Sequence, residues 1–195
     1  MKYYTLYPED TQNADWLFFK DDRNDHLTIR SEYKDLACSL CGKLNEEAAI
    51  QKGIAGDFII KSKLDWHGSF DDQIIVTKRF KDIVESENFQ GLNFISIPND
   101  SDRFLVLCTC LVSTNEEMAG FENNNLCSKC GRYEERLVGP LLQGMELPSS
   151  DLTFFASEIA NENSKVSYRP IFASETIIKI LKKWKIKGLD IVPAF

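Results

Sequence analysis

Cys38-Ser39-Leu40-Cys41-Gly42-Lys43 and Cys127-Ser128-Lys129-Cys130-Gly131-Arg132 are two copies of one pattern, CxxCG followed by a base, set far apart in the chain. Two intervening residues let both thiolates face one ion while the backbone bends around it, and the glycine permits the positive φ that closes the bend. Two such knuckles, at 38–42 and 127–131, supply four sulfurs. The pattern predicts a tetrahedral, zinc-ribbon-like site in which Cys38, Cys41, Cys127 and Cys130 hold one Zn²⁺ ion. Protein fills all four positions, so no place is left for water or substrate and the ion is expected to be structural. Reduced core cysteines, or a redox pair in one knuckle, are the other ways to read these thiols. A thioredoxin-like pair belongs at a strand-to-helix junction, whereas these motifs lie in polar surroundings.

Outward from the knuckles, the chain alternates short strands and helices. Lys2 to Tyr7 reads as a first strand, Trp16 to Lys20 as a second, and Leu44 to Gln51 as a short helix stopped at Gly53. The segment 73–97 carries more information. Ile74-Ile75-Val76 is a strand, Thr77 a helix cap, Phe80, Ile83 and Val84 one helix face, and Gly91 turns the chain into Leu92 to Ile97. The segment 170–195 has the same plan. Placing Gly91 on Gly188 aligns Thr77 with Ser174, Phe80 with Ile177, Ile83 with Ile180, Val84 with Leu181 and Phe94 with Ile191. This predicts a duplicated strand-helix-strand unit, with convergence on a common pattern as the alternative. Between the copies, Phe104 to Val112 reads as a strand buried on both faces, which makes Cys108 and Cys110 buried thiols or additional metal ligands. The expected architecture is α+β, one domain over 1–195, with a mixed sheet.

Composition narrows the functional classes. With 43% hydrophobic and 27% charged residues the sequence is that of a globular protein long enough to bury a core. A net charge of -7 argues against a phosphate-tracking nucleic-acid binder, because such binding draws its affinity from lysine and arginine. No apolar run is long enough to cross a bilayer and Met1 to Tyr7 lacks the apolar core of a secretory signal, so the expectation is a cytoplasmic protein that engages no membrane. Neither a phosphate-cradling glycine loop nor a Gly-x-Ser-x-Gly elbow occurs, and with His67 beside Asp71 and Asp72 no nucleophile is supplied; an enzyme is not expected.

The two knuckles, the extended segment after Cys130-Gly131-Arg132, Leu147-Pro148, the stretch Asp151-Leu152-Thr153-Phe154 and the terminal unit ending Gly188-Leu189-Asp190-Ile191 together resemble the double-CXXCG motif family of bacterial proteins. That family is similar to the immunity proteins encoded beside polymorphic toxins. The resemblance covers most of the chain, is strongest from Leu126 onward, and implies a cytoplasmic protein that binds and neutralises a cognate toxin. Its transferable positions are Cys38, Cys41, Cys127 and Cys130. An acidic surface would suit a basic toxin domain, and the loops 65–72, 98–103 and 115–125 offer Trp66, Phe70, Asp71, Asp72, Glu116 and Glu117 as contact candidates. The alternative is a zinc-ribbon-like nucleic-acid-binding or regulatory module, although Asp35, Glu46, Glu47, Glu134 and Glu135 offset Lys43, Lys129 and Arg132 around the knuckles.

Overall fold

The computed structural model describes residues 1–9, 16–22, 26–58, 60–137, 142–163 and 166–194. Four α-helices occur among them, α1 (Glu46–Lys52), α2 (Lys78–Ser86), α3 (Glu116–Ala119) and α4 (Glu175–Lys183), with a 3-10 helix at Ser31–Leu36. They accompany several small sheets, so the architecture is α+β. The single mixed sheet expected from the sequence is replaced by separate sheets, antiparallel except for one two-residue parallel pair, Ala156–Ser157 with Leu111–Val112.

Helices α2 and α4 organise the body. The hydroxyl of Thr77 accepts from the Phe80 N–H at 3.2 Å, and the hydroxyl of Ser174 accepts from the Ile177 N–H at 3.2 Å, each supplying an acceptor that the first helical turn lacks. Apolar residues at helical spacing then fall on one face: Phe80, Ile83 and Val84 in α2, and Ile177, Ile178 and Leu181 in α4. Past each helix the chain reverses through Asn88 (φ 55°) and Gly91 (φ 88°), or through Lys185 (φ 53°) and Gly188 (φ 88°). The strands flanking each helix, Ile74–Thr77 and Leu92–Ile97 around α2, Ile171–Ser174 and Leu189–Ala194 around α4, run parallel without touching. An antiparallel strand fills each gap. It is Asp100–Cys108 in the first case, reached by a turn at Pro98-Asn99, and Tyr3–Pro8 from the N-terminal end in the second.

Each glycine turn is held by a segment from elsewhere in the chain. Phe154 donates its N–H to Gln90 O at 2.9 Å, and Trp66 donates its own to Lys187 O at 3.1 Å. A Cβ on Gly91 would lie 1.9 Å from Phe154 O, and one on Gly188 would lie 2.1 Å from Trp66 O, so close approach and positive φ both demand glycine there. Trp66, Phe80, Val84, Phe154, Ile177 and Leu181 form one core shared by both units. Each such side chain contributes about 1.5–3 kcal/mol on burial.

Strand alternation supplies a second core. Val76 and Val106 point into the shared core, while Ile75 and Leu105 point to the opposite face, where Leu17, Phe18, Tyr33, Leu44 and Ile50 pack. The strand 100–108 is thus buried on both faces near its end. Its opposite face carries α1 and the first knuckle. The second knuckle sits on an arm, the hairpin of Glu122–Leu126 and Tyr133–Leu137, extended by Asn161–Glu162 and Ser167–Tyr168. Asp57 to Lys61, whose composition favours a strand, contains no strand among its described residues.

Candidate metal centre and contact surface

Each knuckle closes on itself with the same bonds. Cys38 N–H donates to Lys43 O at 2.9 Å and Gly42 N–H to Cys38 O at 2.8 Å; Cys127 N–H donates to Arg132 O at 2.9 Å and Gly131 N–H to Cys127 O at 2.9 Å. Gly42 and Gly131 take φ of 74° and 70°, with nothing within 4 Å of where a Cβ would stand. The turn conformation alone sets the need for glycine. Backbone N–H groups aim at the first sulfur of each pair: those of Cys41 and Leu40 pull the Cys38 thiol down to about 6, and those of Cys130 and Lys129 lower Cys127. Burial and the neighbouring sulfurs push Cys41 up to about 11.

The knuckles meet sulfur to sulfur. Cys38 Sγ lies 3.9 Å from Cys127 Sγ, Cys41 Sγ lies 3.7 Å from Cys130 Sγ, and all four lie within 4.8 Å of one another. A tetrahedron with metal–sulfur bonds of about 2.3 Å has sulfur–sulfur edges of about 3.8 Å. The donor set therefore fits a four-thiolate metal ion, brought together from chain positions 89 apart.

The bases that follow the two glycines cross over. Arg132 donates to Leu44 O at 2.6 Å, to Lys43 O at 2.9 Å and to Glu46 at 3.2 Å. Lys43 donates to Tyr133 O, to Glu134 O at 3.1 Å and to Glu162 at 3.1 Å. Each knuckle's base thus binds the chain leaving the other knuckle. The Lys43–Glu162 pair is buried, and Glu46 is buried while accepting from Ser167 N–H at 2.8 Å; burial raises the Glu46 carboxyl above its usual range. These bases would also offset the negative charge of four thiolates around a divalent ion held there. By charge alone Lys43 and Arg132 are surface bases flanking the motifs, yet their recurrence directly after both glycines is the signal that points to this role. Nothing local in the sequence marks Glu162 as the partner of Lys43, since the pair is 119 positions apart.

The six contact candidates divide. Trp66 and Asp71 are corrected: both are fully buried. Trp66 packs its ring 5.3 Å from Phe80, and Asp71 accepts from Leu17 N–H at 3.1 Å, Phe18 N–H at 2.7 Å and the Ser69 hydroxyl at 2.5 Å. Trp66 belongs to a short strand, Trp66–Gly68, buried along its whole length, and Asp71 lies in the turn that follows it, where the sequence reads as a polar loop. Phe70 and Asp72 are exposed together, Phe70 leaning on Trp16 at 5.5 Å. Glu116 and Glu117 are exposed on α3 beside the arm, where Asn123 donates to Glu116 at 3.2 Å. His67 is buried.

Cys108 ends its strand and donates to Cys110 O at 3.7 Å, and burial pushes its thiol up to about 12. Neither Cys108 nor Cys110 belongs to the four-sulfur group. A cleft of about 1080 Å³ separates the arm from the body, with Ile95, Leu107 and Cys108 on one side and Arg132, Arg136 and Arg169 among its polar lining. Among the described residues no helix is long and apolar enough to cross a membrane. Comparison with known proteins finds no family model that matches the chain and no curated protein that matches it.

Proposed function

We propose that the chain is a non-enzymatic immunity protein of the cytoplasm that neutralises a cognate toxin, encoded by a neighbouring gene, by forming a stoichiometric complex. One Zn²⁺ held by Cys38, Cys41, Cys127 and Cys130 is its structural cofactor, and the two strand-helix-strand units are copies of one ancestral unit. Support for duplication comes from the matched caps, helix lengths and positive-φ positions of the two segments.

The observation that carries the functional reading is the surface of the arm. Every residue of Glu122–Leu126 is exposed, and Leu40, Met118, Leu126 and Leu137 present apolar side chains there among Glu116, Glu117, Glu122, Glu134 and Glu135. Exposed apolar side chains interspersed with carboxylates match a basic protein partner, for which the apolar groups supply affinity and the acids speed encounter. This shifts the expected contact surface away from Trp66 and Asp71 and toward Glu116 and Glu117.

The test is co-expression with the product of the adjacent gene. Survival of the cells, a one-to-one complex on gel filtration, and loss of that complex in Glu116→Lys/Glu117→Lys are expected. Cells that die as readily with the protein as without it, together with no complex, would refute the reading.

A further inference from the structure

The acidic balance of the chain hides a local reversal. Residues 170–195 contain five lysines, at 179, 182, 183, 185 and 187, against two acids, Glu175 and Asp190. Lys182, Lys183, Lys185 and Lys187 are all exposed around Trp184, which is 41% exposed. Among the described residues these four lysines make no ion pair, whereas Lys179 is engaged with Glu175.

The fold gathers further bases at the same place. The Arg79 guanidinium, in the first turn of α2, donates to the Trp184 carbonyl and to Asp65 at 2.6 Å, so the start of α2 meets the end of α4. Exposed Lys63 precedes Leu64, whose Cβ lies 2.8 Å from where a Cβ on Gly188 would stand. Of the acids beside them, Asp65 and Glu87 are occupied, whereas Glu9, whose N–H donates to Gly188 O at 2.9 Å, and Asp190 are exposed near the turn. Asp65 is buried and accepts from Thr77, Arg79 and Lys187 N–H, while Glu87 accepts from the Trp184 indole at 2.7 Å.

Folding does not require this arrangement. At the equivalent positions of the first unit, Asp82 stands for Lys179, Glu85 for Lys182, Glu87 for Trp184 and Gln90 for Lys187. The first unit thus builds the same helix and turn without bases there. Helix α2 even runs its charges against its own dipole, with Lys78 and Arg79 in the first turn and Glu85 in the last. A local rule broken on an exposed surface, where it adds bases beside others, points to function.

We infer that the end of α4, with Arg79 and Lys63 beside it, is a binding face for the phosphate backbone of single-stranded nucleic acid, with Trp184 as a stacking platform. Phosphates suit unpaired lysines, and an exposed indole among them offers a base a π-face. A bilayer surface fits less well, because the apolar face of α4 (Ile177, Ile178, Leu181) is spent in the core and cannot embed. This face is separate from the arm and does not rest on the toxin reading.

The experiment uses the full zinc-loaded chain and a fluorescein-labelled 20-nucleotide single strand, read by anisotropy. Four lysine–phosphate contacts predict a log–log salt slope of about -2.8, which is an affinity loss of about 50-fold between about 50 and 200 mM salt. Lys182→Gln/Lys183→Gln/Lys185→Gln should reduce the slope to about -0.7, while the control Lys20→Gln/Lys34→Gln/Lys52→Gln, which removes equal charge elsewhere, leaves the slope near its starting value. Trp184→Leu should weaken binding about tenfold. Matching circular-dichroism melts show that the variants are folded. Four results would overturn the inference: no binding at low salt, equal loss in the control variant, binding to phosphatidylserine vesicles but not to the oligonucleotide, and binding to polyglutamate in place of the oligonucleotide.

Discussion

Removal of the proposed metal should cost this protein more than any single surface contact. The paired thiols are 89 positions apart, and an ion joining them acts as a cross-link on the unfolded chain. A closed loop of that length corresponds to about 4–5 kcal/mol in the chain-entropy account of cross-links. For a chain of this size each kcal/mol moves the thermal midpoint by about 2–4 °C, so stripping the ion should lower the midpoint by roughly 8–20 °C. Calorimetry before and after chelation, with metal content measured on the same samples, reads this directly. The variants sharpen the reasoning, because four ligands to one ion act as a unit. Cys38→Ser/Cys41→Ser, Cys127→Ser/Cys130→Ser and the quadruple variant should melt at nearly the same temperature, all without metal. A drop under about 3 °C after verified removal, or losses that add between the two knuckles, would refute the cross-link argument.

Glu162→Ala leaves the buried Lys43 ammonium with carbonyls alone and should cost about 3–5 kcal/mol in urea unfolding, whereas Lys43→Met/Glu162→Met should cost less because no buried charge is stranded. Gly188→Ala, with a Cβ forced toward Trp66 O at positive φ, should lose about 2–4 kcal/mol, while Gly42→Ala, which meets open space, should lose about 1 kcal/mol. Burial raises the folded-state carboxyl of Asp71 over the opposing pull of its hydrogen bonds. The folded chain then holds a proton that the unfolded chain releases near pH 4, so this contribution is full below about pH 4 and falls as pH rises through the raised value. The advantage of wild type over Asp71→Asn in chemical unfolding should therefore shrink from acid toward neutral pH; an advantage that grows would contradict it.

The parts of the fold legible in the sequence are those written in local chemistry. Thr77, Ser174, Gly91 and Gly188 mark where helices begin and turns close, because caps and positive φ each select few residue types. The four cysteines are legible for the same reason. What stayed hidden depends on pairing across the chain. Trp66 and Asp71 look like loop residues since Gly68, Ser69 and Asp72 surround them; the shared core around Phe80 covers Trp66, and the Leu17–Phe18 segment that Asp71 clips covers Asp71. The single mixed sheet failed because strands inserted between the parallel ones, Tyr3–Pro8 above all, come from elsewhere in the sequence. Net charge concealed the lysines of α4, since a sum over the chain says nothing about where charges lie.

The arm shows what the proposed metal would do for this fold. Glu122–Leu126 is wholly exposed and its partner Tyr133–Leu137 nearly so, leaving little apolar area to hold the hairpin in place. The strands that extend it pair with it in register only at Arg136 with Glu162, and a hairpin without a buried face is marginal in water. The body solves its own packing through a shared core and the segments that hold the Gly91 and Gly188 turns, and none of that reaches the tip of the arm. There the four sulfurs and the crossed bases Lys43 and Arg132 take over, fixing the hairpin through a few strong polar interactions in place of burial. A surface held in this way keeps its outward side chains free of structural duty, so Glu122, Leu126 and their neighbours can be chosen by a partner and not by the core.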